Sequence, residues 1–225
     1  MTTSDMPAAR GADHVIVRAD EADIEVLSQV VADAFFPLAP CRWLIPDGAA
    51  RRDILPAYFR MYVEHAMAGG QVCTTPDRSA AALWIPVGTE PEGPPGGYSE
   101  RLAAITGPWL DRFVALDAEF DRHHPAGTAH HHLAILAVRP DRQGQGIGTA
   151  LLDARHAVLD EQAVPAYLEA SDSGTRRIYL PHGYTDHGTP IQLPEGPLMY
   201  PMWREPAPGL RPSADDADPI PPARM

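Results

Sequence analysis

The sequence predicts one mixed α/β domain over residues 14–205, with a central sheet flanked by helices. Three observations predict it: apolar runs of strand length alternate with amphipathic segments, an early pair of strands forms a hairpin, and the last third reads β-α-β-α. The hydrophobic content of 44% suits a buried core. Residues 1–13 are expected to be a flexible leader, and the Pro-rich residues 206–225 a disordered tail.

The first half of the predicted domain contains two helices and three strands. A strand at 14–18 precedes a helix from Asp20 to Phe36, which Asp20 is expected to cap. That helix has apolar residues at three- and four-residue steps: Ile24, Leu27, Val31 and Phe35. A second helix near 51–68 ends at Gly69 and Gly70. Strands at 71–75 and 80–86 follow.

The middle of the chain is a Gly- and Pro-rich surface loop at 88–97, followed by a helix that Gly107 and Pro108 interrupt. The second part of this helix has an aromatic and aliphatic stripe, interpreted as core packing: Trp109, Phe113, Leu116 and Phe120.

The last third alternates strands and helices. An apolar strand at 131–138 leads through a polar turn at 139–145 into a helix at 146–162. The side chains expected to face inward on that helix are Ile147, Leu151, Ala154 and Val158. A buried strand, a short helix and two closing strands complete the domain: 166–170, 174–182, 185–192 and 198–204.

Charge and composition exclude several classes of function. The net charge of -12 argues against binding to nucleic acid and would favour a cationic ligand. All 18 basic residues are arginine, which excludes a Schiff-base lysine and the lysine of a P-loop. No apolar run reaches membrane-spanning length and no signal peptide is evident, so a cytoplasmic protein is expected. Cys41 and Cys73 are interpreted as buried, unpaired side chains.

The segment from Val138 to Thr149 predicts a site for a pyrophosphate. It joins a buried strand to a helix, where free backbone N–H groups and the helix dipole favour an anion. Gly144, Gly146 and Gly148 let the backbone approach a ligand closely. The G-x-G-x-G spacing does not fit a Rossmann fingerprint, and a Walker loop needs lysine. With dinucleotides and P-loop nucleotides excluded, coenzyme A is a pyrophosphate ligand that still fits. The alternative is that the glycines form a purely structural turn.

These residues resemble a known family. The run Gln143 to Gly148 fits the Q/R-x-x-G-x-G/A motif of the GNAT superfamily of acetyl-CoA-dependent N-acetyltransferases. Residues 133–138 and 165–171 resemble that family's fourth and fifth strands, and 178–184 its Tyr-x-x-x-Gly-Phe/Tyr segment. Within the superfamily, 165–171, 193–197 and the long inserted helix are most similar to the puromycin N-acetyltransferase group.

The resemblance implies a GNAT-like, mostly antiparallel sheet whose fourth and fifth strands splay apart to hold the pantetheine arm. It also implies acetyl-CoA as the acetyl donor, with CoA as the product. The residues it implies for cofactor binding are Leu136, Ala137, Val138, Arg142, Gln143, Gly144, Gln145, Gly146, Ile147, Gly148, Thr149 and Thr175. Thr175 stands where the family often has asparagine, and its hydroxyl has a shorter reach.

The same resemblance assigns Tyr179 the role of proton donor to the leaving thiolate; a core tyrosine is the alternative. For the general base the candidates are Glu169 and a histidine of the run His130 to His132, with His132 preferred. A water chain, histidines with no role and a Glu169–arginine pair stay open. Neighbouring histidines on a strand cannot converge on one ion, so no metal is expected.

The acceptor pocket is expected to have aromatic walls, because such side chains hold flat or cationic substrates. The candidates are Phe35, Phe36, Trp43, Tyr58 and Trp84, each of which core packing would also explain. The expected partner is a small-molecule amine, with an antibiotic as one example. Acetylation of protein N-termini or lysines is an alternative, and so is a non-catalytic CoA-binding module. The sequence does not decide between a monomer and a homodimer.

Overall fold

The computed structural model describes residues 14–89 and 96–207. The predicted leader, most of the predicted loop at 88–97 and the tail beyond residue 207 lie outside the described residues. Residues 206 and 207, assigned to the tail from sequence, are described, and the N–H of Ala207 donates to the Asp160 carboxylate.

Helices make up much of the described chain. They are α1 (Ile24–Phe35), α2 (Ala39–Leu44), α3 (Gly48–Gly69), α4 (Tyr98–Thr106), α5 (Leu110–His123), α6 (Ile147–Glu161) and α7 (Ser173–Tyr179). A 3-10 turn at Glu21–Asp23 precedes α1, and the Asp20 side chain caps it as predicted. Two further 3-10 turns of the same length, at Gly107–Trp109 and Leu180–His182, precede α5 and follow α7.

The helices differ from the prediction in two places: α2 was not predicted, and α3 begins earlier than predicted. The sequence gives no helix at α2, since Pro37 and Pro40 were expected only to end the preceding one. Pro40 instead lies in the first turn of α2, where its missing N–H has no intrahelical role. Helix α3 begins earlier than predicted because the Asp47 side chain accepts from the N–H of Ala50 and caps it.

The strands form one twisted sheet. They are β1 (Val17–Arg18), β2 (Gln71–Thr74), β3 (Ala80–Val87), β4 (His130–Val138), β5 (Ala166–Ala170), β6 (Thr185–Asp186), β7 (Ile191–Gln192) and β8 (Leu198–Arg204). The order across the sheet is β1-β2-β3-β4-β5-β8-β6, with β7 also paired to β8. All pairs are antiparallel except β4 with β5, which confirms the predicted mostly antiparallel sheet.

The core has one part on each face of the sheet. Helices α1, α3, α4 and α5 cover one face, where the predicted stripe contributes Phe113 and Leu116. Helix α6 covers the other face, against buried Trp84, Leu168 and Met202. Cys41 and Cys73 are buried and free, as predicted.

The inward face of α6 differs from the prediction. Ile147 and Leu151 are buried, but Ala154 is exposed and Val158 half-buried. The buried stripe instead includes Arg155 and His156, whose polarity suggested an outward position. Both find partners inside, because Arg155 donates to Gln71 and the His156 ring bonds the Tyr184 hydroxyl.

None of the helices in the described ranges combines the length and apolar character needed to cross a membrane.

Candidate active site

One cavity of about 1220 Å³ contains most of the predicted site residues. It extends from the loop between β4 and α6, along the gap between β4 and β5, to the helices on the first face of the sheet. All but one of the predicted cofactor residues line this cavity: Leu136, Ala137, Val138, Arg142, Gln143, Gly144, Gly146, Ile147, Gly148, Thr149 and Thr175. Gln145 does not line it, and its carbonyl oxygen contacts the His14 ring instead at 2.8 Å.

The gap between β4 and β5 arises because these parallel strands pair only at their beginnings. His131 lies opposite Ala166 and His132 opposite Tyr167, and no later pair follows. A bulge at Ala134, between the pairs of Trp84 with Leu133 and Leu83 with Ile135, changes the phase of β4. The N–H of Arg139 bonds the Ser79 carbonyl on the β3 side. Alternation therefore points the N–H groups of Leu136 and Val138 into the gap.

The loop after β4 presents unpaired backbone donors to the cavity. Gly144 and Gly146 have φ values of 74° and 83°, a region that favours glycine. Gly146 is the N-cap of α6 and supplies no side chain, whereas Asp47 and Asp172 cap α3 and α7 with their carboxylates. The N–H groups of the first turn of α6 are thus free to bind an anion.

The polar side chains of the loop have two different tasks. The Gln143 amide donates to the Val138 carbonyl at 3.0 Å and so supports the loop from within. Arg142 lines the cavity, where its buried Nε has no partner and its Nη1 lies 3.6 Å from Asp77. An unpaired guanidinium N–H beside free amides suits a phosphate oxygen.

Tyr179 lies at the end of α7 and lines the cavity. Its ring packs edge-on against Tyr184, with the centroids 5.7 Å apart. Burial raises the pKa of the Tyr179 phenol well above its usual range. The hydroxyl therefore keeps its proton at neutral pH and can donate it.

Thr175 has a structural task in this protein. Its Oγ1 accepts from the N–H of Asp172, while the Asp172 carboxylate accepts from the N–H of Thr175 at 2.7 Å. This reciprocal pair is a capping box that begins α7.

Glu169 on β5 is almost fully buried, with 6% of its side chain exposed. Its Oε2 lies 2.8 Å from Nε2 of His132, while its Oε1 has no partner. Burial favours the neutral acid, but the His132 ring, together with smaller contributions from His124 and the Tyr167 hydroxyl, outweighs it and lowers the pKa of Glu169. Because an ionised carboxylate only accepts, Nε2 of His132 is the donor.

Two further histidines explain why Oε1 of Glu169 stays unpaired. Nδ1 of His130 faces the Thr128 carbonyl at 2.8 Å, so it donates and leaves Nε2 as an acceptor. Nε2 of His124 donates to that atom at 3.1 Å. Burial, helped by His132, lowers the pKa of His124 to about 4, so the ring is neutral. Its Nδ1 then presents a lone pair, 3.9 Å from Oε1 of Glu169.

The predicted acceptor residues divide into two groups. Phe35 and Tyr58 line the cavity. Trp84 does not, since it is fully buried on the opposite face of the sheet, against the His156 ring. Trp43 also lies outside, because its Nε1 donates to the Pro194 carbonyl. Phe36 contacts the guanidinium of Arg51 instead. Of the five aromatic residues expected in the acceptor pocket, Phe35 and Tyr58 therefore line the cavity, whereas Phe36, Trp43 and Trp84 do not.

Several lining residues were not found from sequence. The cavity is also lined by Tyr62 on α3, Tyr98 on α4, Asp117 in the middle of α5 and His124 just after α5. No local motif marks them, because they are far apart along the chain. The one usable signal was the amphipathic helix after Gly107, whose stripe was interpreted only as core packing.

The three neighbouring histidines diverge as alternation predicts. His130 and His132 lie toward His124, while His131 contacts Arg155 on the other face. A different group, Asp153, His156 and His182, has potential ligand atoms within 4.8 Å of one another, outside the main cavity.

Comparisons with known proteins agree with this architecture. Residues 112–186 match the model of the acetyltransferase (GNAT) domain. A Corynebacterium glutamicum structure, described as histone acetyltransferase HPA2 and related acetyltransferase, is 25% identical with a TM-score of 0.62. The alignment covers 86% of this chain and 97% of that chain.

Two more distant structures share the fold. Arylalkylamine N-acetyltransferase 2 from Aedes aegypti aligns with a TM-score of 0.55 and 11% identity, over 87% of this chain and 100% of that chain. A GCN5-related N-acetyltransferase structure from Rhodopseudomonas palustris gives 0.52 and 13%, over 85% and 95%. The fold of the chain is thus a single GNAT-like domain, as the sequence predicted.

Proposed function

We propose that this protein transfers an acetyl group from acetyl-CoA to an amine of a small molecule, by direct attack in a ternary complex. The observation that carries the proposal is one continuous cavity with an anion cradle at one end and an unpaired, buried carboxylate oxygen at the other, acceptor end. The two features suit the two substrates of such a reaction. The acetyltransferase domain match over residues 112–186 supports the same reading.

The cradle fits the diphosphate of coenzyme A. The free N–H groups of the first turn of α6 and the Arg142 guanidinium would bind its oxygens. The unpaired N–H groups of Leu136 and Val138 would hold the pantetheine arm in the gap, one of them polarising the thioester carbonyl. Because backbone N–H groups supply most of these contacts, binding of the cofactor requires few particular side chains.

The proton steps can be assigned to two residues. The neutral amine nitrogen forms a bond to the carbonyl carbon, and Oε1 of Glu169 accepts the proton that the nitrogen loses. When the carbon–sulfur bond breaks, the Tyr179 hydroxyl donates its proton to the thiolate. His132 positions Glu169 through the bond to Oε2.

The aromatic and apolar lining of the acceptor end favours a small molecule over a protein. Tyr98 on α4 and Leu116 and Phe120 on α5 line the cavity at this end. A lysine or N-terminus of a folded protein needs an open groove to approach the thioester. The resemblance to puromycin N-acetyltransferases makes amine-bearing antibiotics the first acceptors to try.

The proposal is tested by two measurements on the purified protein. Calorimetry with acetyl-CoA and CoA should show binding, and a thiol-release assay should show turnover with a panel of small amines that includes puromycin. Lysine peptides belong in the same panel, because turnover on peptides alone would favour the protein-acetylating alternative. Absence of acetyl-CoA binding would refute the function outright.

Replacing Tyr179 with phenylalanine tests the proton donor. With an amine that the panel identifies, kcat should fall about 10²- to 10³-fold, the usual contribution of a general acid. Tyr200→Phe is the matched control, since Tyr200 packs beside Arg176 and does not line the cavity. A loss below about tenfold in a folded Tyr179→Phe protein would remove Tyr179 from this role.

A further inference from the structure

A second carboxylate faces the same cavity. Asp117 on α5 lines it, and the Tyr98 hydroxyl donates to its Oδ2 at 2.8 Å. Among the residues that the structure describes, Tyr98 is the only hydrogen-bond donor to Asp117, and no arginine or histidine pairs with it. An anion in this position lacks the counter-charge that such groups usually have.

The burial of Asp117 has a measurable consequence. Removal from water, with Asp121 one turn further along α5 as a smaller cause, raises its pKa to about 6. The carboxyl is therefore still mostly ionised at pH 8, although its surroundings disfavour the charge. A ligand cation beside Asp117 would relieve that penalty.

The two ends of the cavity carry opposite charge. Arg142, beside the cradle, is the only arginine among the lining residues that the structure describes. At the acceptor end the ionisable acids are Glu169, Asp117 and Asp121. Such a field orients a bisubstrate complex, with phosphate at one end and a cation at the other.

Aromatic rings of α1 and α3 line the same cavity as the two carboxylates. Tyr58 and Tyr62 share a hydroxyl contact of 3.1 Å, and Phe35 packs on Phe59 with centroids 5.1 Å apart. Burial raises the pKa of Tyr62, and the charges of Asp117 and, more weakly, Glu169 raise it further. Tyr62 thus lies within the fields of both carboxylates, and an apolar ligand body would rest on this wall.

We propose that Asp117 and Tyr98 form a subsite for a second, protonated amine, so that the preferred acceptor is an apolar or aromatic diamine. One amine, in its neutral form, lies at Glu169 and attacks the thioester. The other keeps its proton and donates to the free Oδ1 of Asp117. This inference rests on the proposed acetyl transfer, and it names the substrate class of the same cavity.

The experiment compares two isomeric diamines with a monoamine of nearly equal size. m-Xylylenediamine and its para isomer carry two aminomethyl groups, whereas m-methylbenzylamine has a methyl group in place of one. Calorimetry in the presence of CoA measures their Kd values, and the thiol-release assay measures kcat/KM. We expect the better diamine to lead m-methylbenzylamine by about tenfold or more in both, the scale of one charge-assisted hydrogen bond.

Asp117→Asn is the decisive variant, because its amide oxygen still accepts from Tyr98 while the charge is lost. It should abolish the preference, so that the Kd and kcat/KM of the diamine come within about threefold of those of m-methylbenzylamine. Asp111→Asn is the matched control, an exposed acid on the same helix. Chemical denaturation of all three proteins checks that the fold is retained.

Each outcome decides between the hypotheses. Equal affinity of the wild-type protein for diamine and monoamine, or a preference that survives in Asp117→Asn, overturns the subsite. Turnover of both amines at equal rates leaves acetyl transfer intact and refutes only the subsite. Diamine-selective binding without turnover supports the subsite and counts against the transfer reaction, while failure to bind acetyl-CoA removes the proposed function on its own.

Discussion

The two ends of the cavity are built in different ways. At the cofactor end, one contiguous stretch from Leu136 to Thr149 provides nearly all the polar groups, most of them backbone N–H. At the acceptor end, side chains from α1, α3, α4, α5 and β5 meet, and carboxylates and hydroxyls supply the chemistry. Backbone donors at a helix start can bind any diphosphate, whereas side chains from separate elements can be exchanged one at a time.

This difference suggests that cofactor binding resists most side-chain changes and that acceptor chemistry depends strongly on single residues. The clearest example is Glu169, whose one unpaired oxygen is fixed by His132, His124 and His130 together. Gly146 is the opposite case, because it acts through its backbone conformation and contributes no side chain to the cavity.

The largest effect is expected for Glu169→Gln. An amide cannot take the proton of the attacking amine, so kcat/KM should fall about 10²- to 10³-fold while the Kd of acetyl-CoA stays the same. Steady-state kinetics and calorimetry measure the two quantities. Glu161→Gln, an exposed site at the end of α6, should change neither.

Full activity in Glu169→Gln would show that the chemistry at the acceptor end does not depend on this single side chain. Proton removal would then fall to a water chain, and the buried carboxylate would have only a structural part in the cavity. A variant that loses acetyl-CoA binding as well would show that the two ends are not independent.

The next effect is expected for Gly146→Val. A β-branched residue is strained at a φ of 83°, and relief of that strain would turn the loop amides away from the diphosphate. Strain of this kind is worth about 1–3 kcal/mol, so the Kd of acetyl-CoA should rise about 10- to 100-fold. Gly188→Val, at another positive φ of 69° outside the cavity, should leave that Kd unchanged.

More of the residues predicted for the cofactor than of those predicted for the acceptor line the cavity, and the reason is physical. The strand, glycine turn and helix from Val138 to Thr149 are local, so their spacing alone indicates free amides and close backbone approach. The pairing of Tyr98 with Asp117 depends on how α4 packs on α5, which no spacing records. The position of Trp84 was unpredictable for the same reason, because alternation along β3 does not indicate which face of the sheet the cavity occupies.

The smallest expected effects concern two threonines at the cofactor end of the cavity, Thr175 and Thr149. Thr175 was assigned to the cofactor from the resemblance, yet its hydroxyl completes the capping box of α7. Thr149 lies in the first turn of α6, lines the cavity and has no side-chain hydrogen bond among the described residues.

Thr175→Ala should therefore lower the free energy of unfolding by about 1 kcal/mol, the usual cost of a lost cap, and change the Kd of acetyl-CoA by less than about twofold. Thr149→Ala should do the reverse, with unchanged stability and a few-fold weaker binding, since one neutral hydrogen bond contributes about 1 kcal/mol. Urea denaturation and calorimetry separate the two variants. Weaker binding in Thr175→Ala at unchanged stability would restore Thr175 to the cofactor site, and the cofactor end would then depend on side chains as well.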